Sequence, residues 1–370
     1  MFKKASFVTG VRPAMAMLIL AGCTPFLLGD GLARHRSAES SAQLFEGLGS
    51  WHRGFTTTSD EEHKFLVQGF IWLQCFNHDE AVRSFKEAAR LDPDCPMAWW
   101  GVSFAEGPNY NDPFMTEQRN RAAWDALRKA LARIDNAASW ERDLIKALSA
   151  RYEQPFPKDR KHLDEAFAEA MGLLWDKYPK DPDIGALYAE AMMVRKPWAL
   201  YTKDRDPVED TDKIVATLRK VLDDHPNHPG ACHLYIHAVE QSKTPERALL
   251  VADRLCGLVP ASGHMIHMPS HIYTRVNDWN RSIEQNALAM EADARYRELS
   301  PQQGLQNMYM IHNNHILAYS AMMVGRKEDA LAASRRMWSD PSVDVLRPIA
   351  PMVDAWMCSV YDVQKRFGMW

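Results

Sequence analysis

Six cysteines among 370 residues are too few for a disulfide scaffold, and no two stand as CxxC. The chain also lacks a GxGxxG turn, a P-loop and any Ser/His/Asp arrangement. Dinucleotide, nucleoside-triphosphate and triad chemistry therefore drop out, and no cofactor other than a metal has support. The 44 Lys and Arg against 48 Asp and Glu leave a net charge of −4 with no basic stripe. Nucleic acid is not an expected partner. Beyond the N-terminal segment, no apolar run is long enough to span a bilayer.

What the chain does carry is histidine. Residues 229–319 hold seven of the fourteen histidines. They fall in three runs: His233 and His237 in HLYIH, His264, His267 and His271 in HMIHMPSH, and His312 and His315 in HNNH. Spacings of three and four put side chains on one helix face, a turn apart. Three helices then each present a row of imidazoles.

The helices recur with a period. Residues 229–262 make a thirty-four-residue unit, the next starts at Gly263, and another at Ile311. Ala248, Ser282 and Ala330 occupy the same small-residue position. An earlier unit, 62–95, carries Gly69, Trp72, Ala81, Phe85, Ala88 and Pro93 at positions 8, 11, 20, 24, 27 and 32. This pattern resembles the tetratricopeptide repeat (TPR). The resemblance covers residues 61–370, in units near 62–95, 96–135, 139–178, 182–228, 229–262, 263–296 and 311–344, with a partial unit at 354–370. The unit at Gly263 departs from the pattern, with Ala294 where proline belongs.

The resemblance implies an all-α, right-handed solenoid of antiparallel helix pairs. In that family positions 2, 5 and 9 of the first helix line the concave groove. All seven histidines fall on those positions, as does Glu190 in the unit opened by Pro182. Two insertions, at 107–113 with Asn109 and Asn111 and at 196–208 with Trp198 and Tyr201, should flank the groove.

The N-terminus reads as a targeting segment. Lys3, Lys4 and Arg12 precede a short apolar stretch at 13–21. Leu20-Ala21-Gly22-Cys23 resembles the lipobox of bacterial lipoproteins. That resemblance implies cleavage after residue 22, acylation of Cys23 and a lipid-anchored protein on the periplasmic side of the envelope. Residues 23–60 then form a tether with a short helix around 42–48.

Seven imidazoles in one register exceed what packing asks for, since cores prefer aliphatics. Neutral imidazole is the commonest ligand of transition metals. The expectation is a centre of His233, His237, His267, His271 and His315 with Glu190 beside them. His264 and His312 would complete a second site or the outer layer, and Glu240 would orient a ring. Copper, zinc and iron all suit imidazole, and seven rings allow two ions. Met265, Met268, Met308 and Met310 beside the rings lean towards copper, against ordinary core filling. Three functions follow: a metalloenzyme acting on a small molecule, hydrolytic or oxidative; a metal-sequestering protein; or an interaction scaffold holding a peptide in the groove. Cys232 and Cys256 lie on paired helices, as a disulfide or as two core residues.

Overall fold

A computed structural model describes residues 42–301, 304–347, 350 and 352–369. The targeting segment and Cys23 lie outside the described residues. Apolar faces at helical spacing, punctuated by Gly, Pro and Asn, fold into helix pairs. The pairs are α1 (Asp60–Gln74) with α2 (His78–Leu91), α3 (Pro96–Glu106) with α4 (Glu117–Leu131), and α5 (Ser139–Leu148) with α6 (Lys161–Lys177). Next come α7 (Pro182–Val194) with α8 (Thr211–Asp224) and α9 (Pro229–Val239) with α10 (Leu249–Leu255). The sixth unit pairs α11 (Gly263–His267) and α12 (Pro269–Arg275) with α13 (Trp279–Leu299). The seventh pairs α14 (Gln306–Met323) with α15 (Lys327–Ser339). Three short helices follow: α16 (Val343–Leu346), α17 (Met352–Met357) and α18 (Ser359–Arg366). Among the described residues there is no sheet, only an isolated bridge between Tyr201 and Pro207. The chain is an all-α, TPR-like solenoid.

The repeat shows in its turns. The amide of Asn77 bonds the carbonyl of Trp72, Asp278 that of Tyr273, Arg326 that of Ala321 and Met369 that of Gln364. Each follows a left-handed residue: Phe76, Asn277, Gly325 and Gly368. This six-to-one closure caps the carbonyls of the helix before it, and in the first three cases leads into the second helix of the pair. Within a unit, small faces large. A Cβ on Gly69 would come within 2.8 Å of the Phe85 ring, so the two helices approach only because that position has no side chain.

Helix α14 begins at Gln306, before the unit start expected at Ile311. The sixth unit's first helix is broken where Pro269 removes a backbone donor. Cys232 and Cys256 are both free thiols, so the pair is not a disulfide.

The solenoid winds tightly enough for the first unit to meet the fifth and sixth. Gly230 N donates to Gln74 Oε1 at 2.9 Å. Asn77 Nδ2 donates to the Tyr296 hydroxyl at 2.8 Å, and that hydroxyl donates to Glu80. The segment before α1 acts as a strap. Ala261 N donates to Gly47 O, Thr56 N to Glu141, and Arg53 pairs with Asp181 and Asp183. What would be an open groove is thereby closed.

Candidate metal centre

Helices α9, α11, α12 and α14 bring six of the seven histidines into two groups of three. His233, His237 and His264 form one; His267, His271 and His312 form the other. Within each group the ligand atoms lie within 4.8 Å of one another. The groups adjoin: the rings of His237 and His271 are 5.6 Å apart, and those of His264 and His267 6.2 Å. The first group is sealed, with His233, His237 and His264 at 0, 1 and 2% exposure. In the second, His267 is buried while His271 and His312 are half-buried.

Hydrogen bonds decide which nitrogen of each ring carries the proton. His233 Nδ1 lies 2.8 Å from the Gln74 carbonyl, which only accepts. His237 Nδ1 and His271 Nδ1 lie 2.8 and 2.6 Å from the two oxygens of Glu240. His267 Nδ1 lies 2.6 Å from Asn286 Oδ1, and Asn286 is oriented by its own amide donating to Ser282 O. In all four rings Nδ1 is therefore the donor, and Nε2 holds the lone pair. Those lone pairs converge. His267 Nε2 faces His271 Nε2 at 2.9 Å, His233 Nε2 faces His264 Nε2 at 3.1 Å, and His237 Nε2 is buried with no hydrogen-bond partner.

The electrostatics agree. Burial first, then neighbouring imidazoles, pushes His233, His264, His267 and His312 well below the ordinary imidazole value. Burial lowers His237 against the pull of Glu240. These rings are neutral at pH 7, the state in which imidazole ligates metal. Burial would raise Glu240, but His271 and His237 outweigh it and hold the carboxyl well below the usual range. A charged Glu240 then fixes one ring of each group, the arrangement that carboxylates adopt behind metal-bound histidines.

The grouping differs from the expected single centre at four residues. His264 and His312 each complete one of the two groups, which fits the second-site alternative and not the outer layer. His315 belongs to neither group; it packs on Trp356, and burial takes it down to about 4. Glu190 also joins neither group. It borders a cavity of about 20 Å³ and lies within the field of Arg151, with burial pushing it up to about 7.

An aromatic wall surrounds the imidazoles. Phe76 lies 4.4 Å from His233, Tyr309 stacks on His264 at 4.2 Å, and Trp356 covers His312 at 4.9 Å. Trp198 stands edge-on to His237 at 5.3 Å and stacks on Tyr110 at 5.0 Å. Phe76 and Trp198 both hold positive φ, 56° and 59°, a conformation that costs a bulky residue energy and concentrates at functional sites. Tyr201 donates to Ala238 O at 2.9 Å, which pins the 196–208 insertion beside His237. Asn109 Oδ1 accepts from the amides of Asn111 and Asp112 and shapes its own loop. Met265, Met268 and Met310 are core side chains. Of the wall, the sequence singled out Trp198, on the 196–208 insertion; it missed Tyr309, whose place three residues before His312 on one helix is a signal that could have found it.

No family model matches the chain, and no curated protein matches it. Among solved structures the chain is similar to the crystal structure of yeast Tom70 at 12% identity and a TM-score of 0.36, over 84% of this chain and 69% of that one. The fold described above rests on the helix pairs and their turns, not on that likeness.

Proposed function

We propose that this chain is a metalloprotein holding two transition-metal ions side by side. His233, His237 and His264 would bind one, and His267, His271 and His312 the other. The observation that carries the reading is the facing of His267 and His271. Both Nδ1 atoms are committed as donors, so two lone pairs meet at 2.9 Å. A shared cation relieves that repulsion. All-imidazole sets suit copper or zinc. Three protein ligands leave a position for water or substrate, which favours hydrolytic or oxygen chemistry on a small molecule over storage. A peptide groove is a weaker reading at this face, because the rings lie inside the closed coil.

One specific observation supports a second metal assignment. His237, Glu240 and His271 also lie within ligand distance of one another, and two histidines with one carboxylate are the donor set of non-haem iron. That ion would have to displace both Nδ1 protons, so the two-centre reading is preferred. Metal analysis of the purified, untagged protein tests both. Two equivalents of copper or zinc per chain support the first, and one of iron the second. A metal-free protein that binds none of these ions below micromolar concentrations overturns both. The lipobox-like Cys23 further supports placing the protein on the periplasmic side of a bacterial envelope, anchored by lipid.

A further inference from the structure

The strap before α1 crosses the coil in order. Gln43 Nε2 donates to Leu299 O at the end of α13, and Gly47 O accepts from Ala261 N in the loop before α11. Arg53 pairs with Asp181 and Asp183 at the start of α7, and Thr56 N donates to Glu141 on α5. The strap holds no helix, at 42–48 or elsewhere. Two of its anchors lead to the helices of the sealed histidine group. At the first, Gly49 has a φ of 81°, and a Cβ there would fall 2.0 Å from Leu258 O. The strap therefore meets the 258–261 loop backbone to backbone. Ser262 follows and caps α11 by accepting from Met265 N. His264 is the second residue of that helix.

The second anchor is a relay of hydrogen bonds. The Trp140 ring covers Arg53, with its centre 3.9 Å from Cζ. The guanidinium reaches Asp181 at 2.6 Å and also bonds Asp183 Oδ2. Asp183 Oδ1 accepts from His228 Nε2 at 2.9 Å. His228 donates there because its Nδ1 accepts from the amide of Ala231, at 3.0 Å. That last bond is the N-cap of α9, the helix of His233 and His237. Asp183 and His228 are both buried, and charge-assisted bonds away from water are strong. Among the described residues the strap makes no hydrogen bond with α12 or α14, which carry His271 and His312.

We propose that residues 42–58 are a clamp for the group of His233, His237 and His264. Docked, the clamp fixes the starts of α9 and α11 and keeps the three rings sealed. Undocked, it frees both starts at once and opens that group. Arg53, Gly47 and Gly49 are positioning residues, acting through Asp183, His228 and the 258–262 loop. A sealed group takes up an ion only when some element moves, and segments held by few bonds open first. The second group keeps its own supports. His267 shares α11 with His264 but is held by Asn286 of α13, and Glu240 holds His271. That the sealed group binds an ion rests on the reading above. That the clamp seals it does not.

The test uses full-length protein, metal-stripped and metal-loaded, with Arg53→Gln and Gly49→Ala. Arg160→Gln is the control, since it breaks an ion pair of similar burial outside the strap. In the stripped protein, diethyl pyrocarbonate should modify His233, His237 or His264 at least tenfold faster in either strap variant, as mapped by mass spectrometry. His271 and His312 should change less than twofold. Unchanged rates overturn the clamp. So does equal acceleration at all the rings, or an acceleration that Arg160→Gln shares, because general loss of stability gives either. In the loaded protein, a chelator should take one equivalent at least tenfold faster from a strap variant and the other at the wild-type rate. Faster loss of both alike overturns the proposal. Selective labelling in a protein unable to hold metal supports the clamp and sinks the metal reading alone. Should neither strap variant fold, hydrogen exchange on the wild-type protein decides. The amides of Thr56 and Ala261, at opposite anchors, should open at one common rate, and unequal opening rates overturn the clamp.

Discussion

His267 and His271 face each other Nε2 to Nε2 at 2.9 Å, four residues apart across the break at Pro269. Their Nδ1 atoms are held by different helices: Asn286 on α13 orients one, and Glu240 at the end of α9 the other. Two elements distant in sequence thus cooperate to aim two lone pairs at one point. A proton can occupy that point as well as a metal ion, and the predictions below separate the two.

Glu240→Gln keeps the size of the side chain and removes its charge. Its amide oxygen can accept from only one of His237 and His271, and its NH₂ would face the Nδ1 of the other and flip that tautomer. Because Glu240 serves one ring of each group, both ions should bind about 10–100-fold more weakly. Competition against a calibrated chelator measures this. Total loss of a single equivalent would instead favour the site built on Glu240 itself.

The pairing of helices was legible in the sequence because it is local. Gly69 against Phe85, the turn at Phe76-Asn77 and the proline openings at Pro96, Pro182 and Pro229 all act within one or two units. The three histidine runs were legible for the same reason: spacing places them on one face. The partition into two groups was not, since it depends on how far each unit rotates on the last. Nor was the closure that buries the rings. It rests on contacts such as Gln74 with Gly230 and Asn77 with Tyr296, between residues more than 150 apart in the chain. Glu190 shows the limit most clearly. It has the right repeat position, yet it joins neither histidine group and lies within the field of Arg151.

Phe76 occupies a left-handed conformation and puts its ring against His233. Truncation to Ala should cost about 3–5 kcal/mol, from the ring and the cavity it leaves. Glycine removes the same ring but accepts positive φ freely. Phe76→Gly should therefore be more stable than Phe76→Ala by about 1 kcal/mol, the reverse of the order inside a helix. Urea unfolding of the two variants checks the sign. Both should also release metal to a chelator faster than wild type.

In the metal-stripped protein, stability should fall as pH drops below the unfolded imidazole value, about 6.5. Six rings, at 233, 237, 264, 267, 312 and 315, have lowered values in the fold. Below pH 6.5 the unfolded chain binds their protons and the folded one does not. Each contributes a loss of about 1.4 kcal/mol per pH unit until its folded value is reached. Glu190 and Asp293 oppose this. Burial raises both to about 7, so between pH 4.5 and 7 the folded state holds protons the unfolded state lacks. Six rings outweigh two carboxyls. Thermal unfolding at pH 7.5, 6 and 5 should show a steady fall, and bound metal should steepen it, since protons then compete with the ion.

Anchoring is tested in the native host. Cys23→Ala should move the protein from the membrane fraction to the soluble one, because a single acylated cysteine would be the attachment. A wild-type protein that is soluble and carries no lipid refutes the lipobox reading and leaves the metal centre untouched.

The decisive variants take one ring from each group. His237→Ala removes a ligand whose Nε2 has no other partner. His271→Ala removes one of the facing pair. Each group keeps two imidazoles, too few for tight binding of copper or zinc. If each group holds its own ion, each single variant should lose one equivalent and retain the other, and the double variant should lose both. If one ion is shared, either single variant should lose all of it. If the point between His267 and His271 holds only a proton, neither variant changes a metal content that was never there. Loss of His271 should then lower the unfolding temperature at neutral pH, because the hydrogen bond through that proton is gone. The helical signal should survive in every case. The rings lie at the inner face of α9 and α12, while the contacts that pair the helices run through Leu234, Ile236, Ile272 and Tyr273 in the main core. Metal stoichiometry and circular dichroism on the four proteins distinguish these outcomes in one experiment.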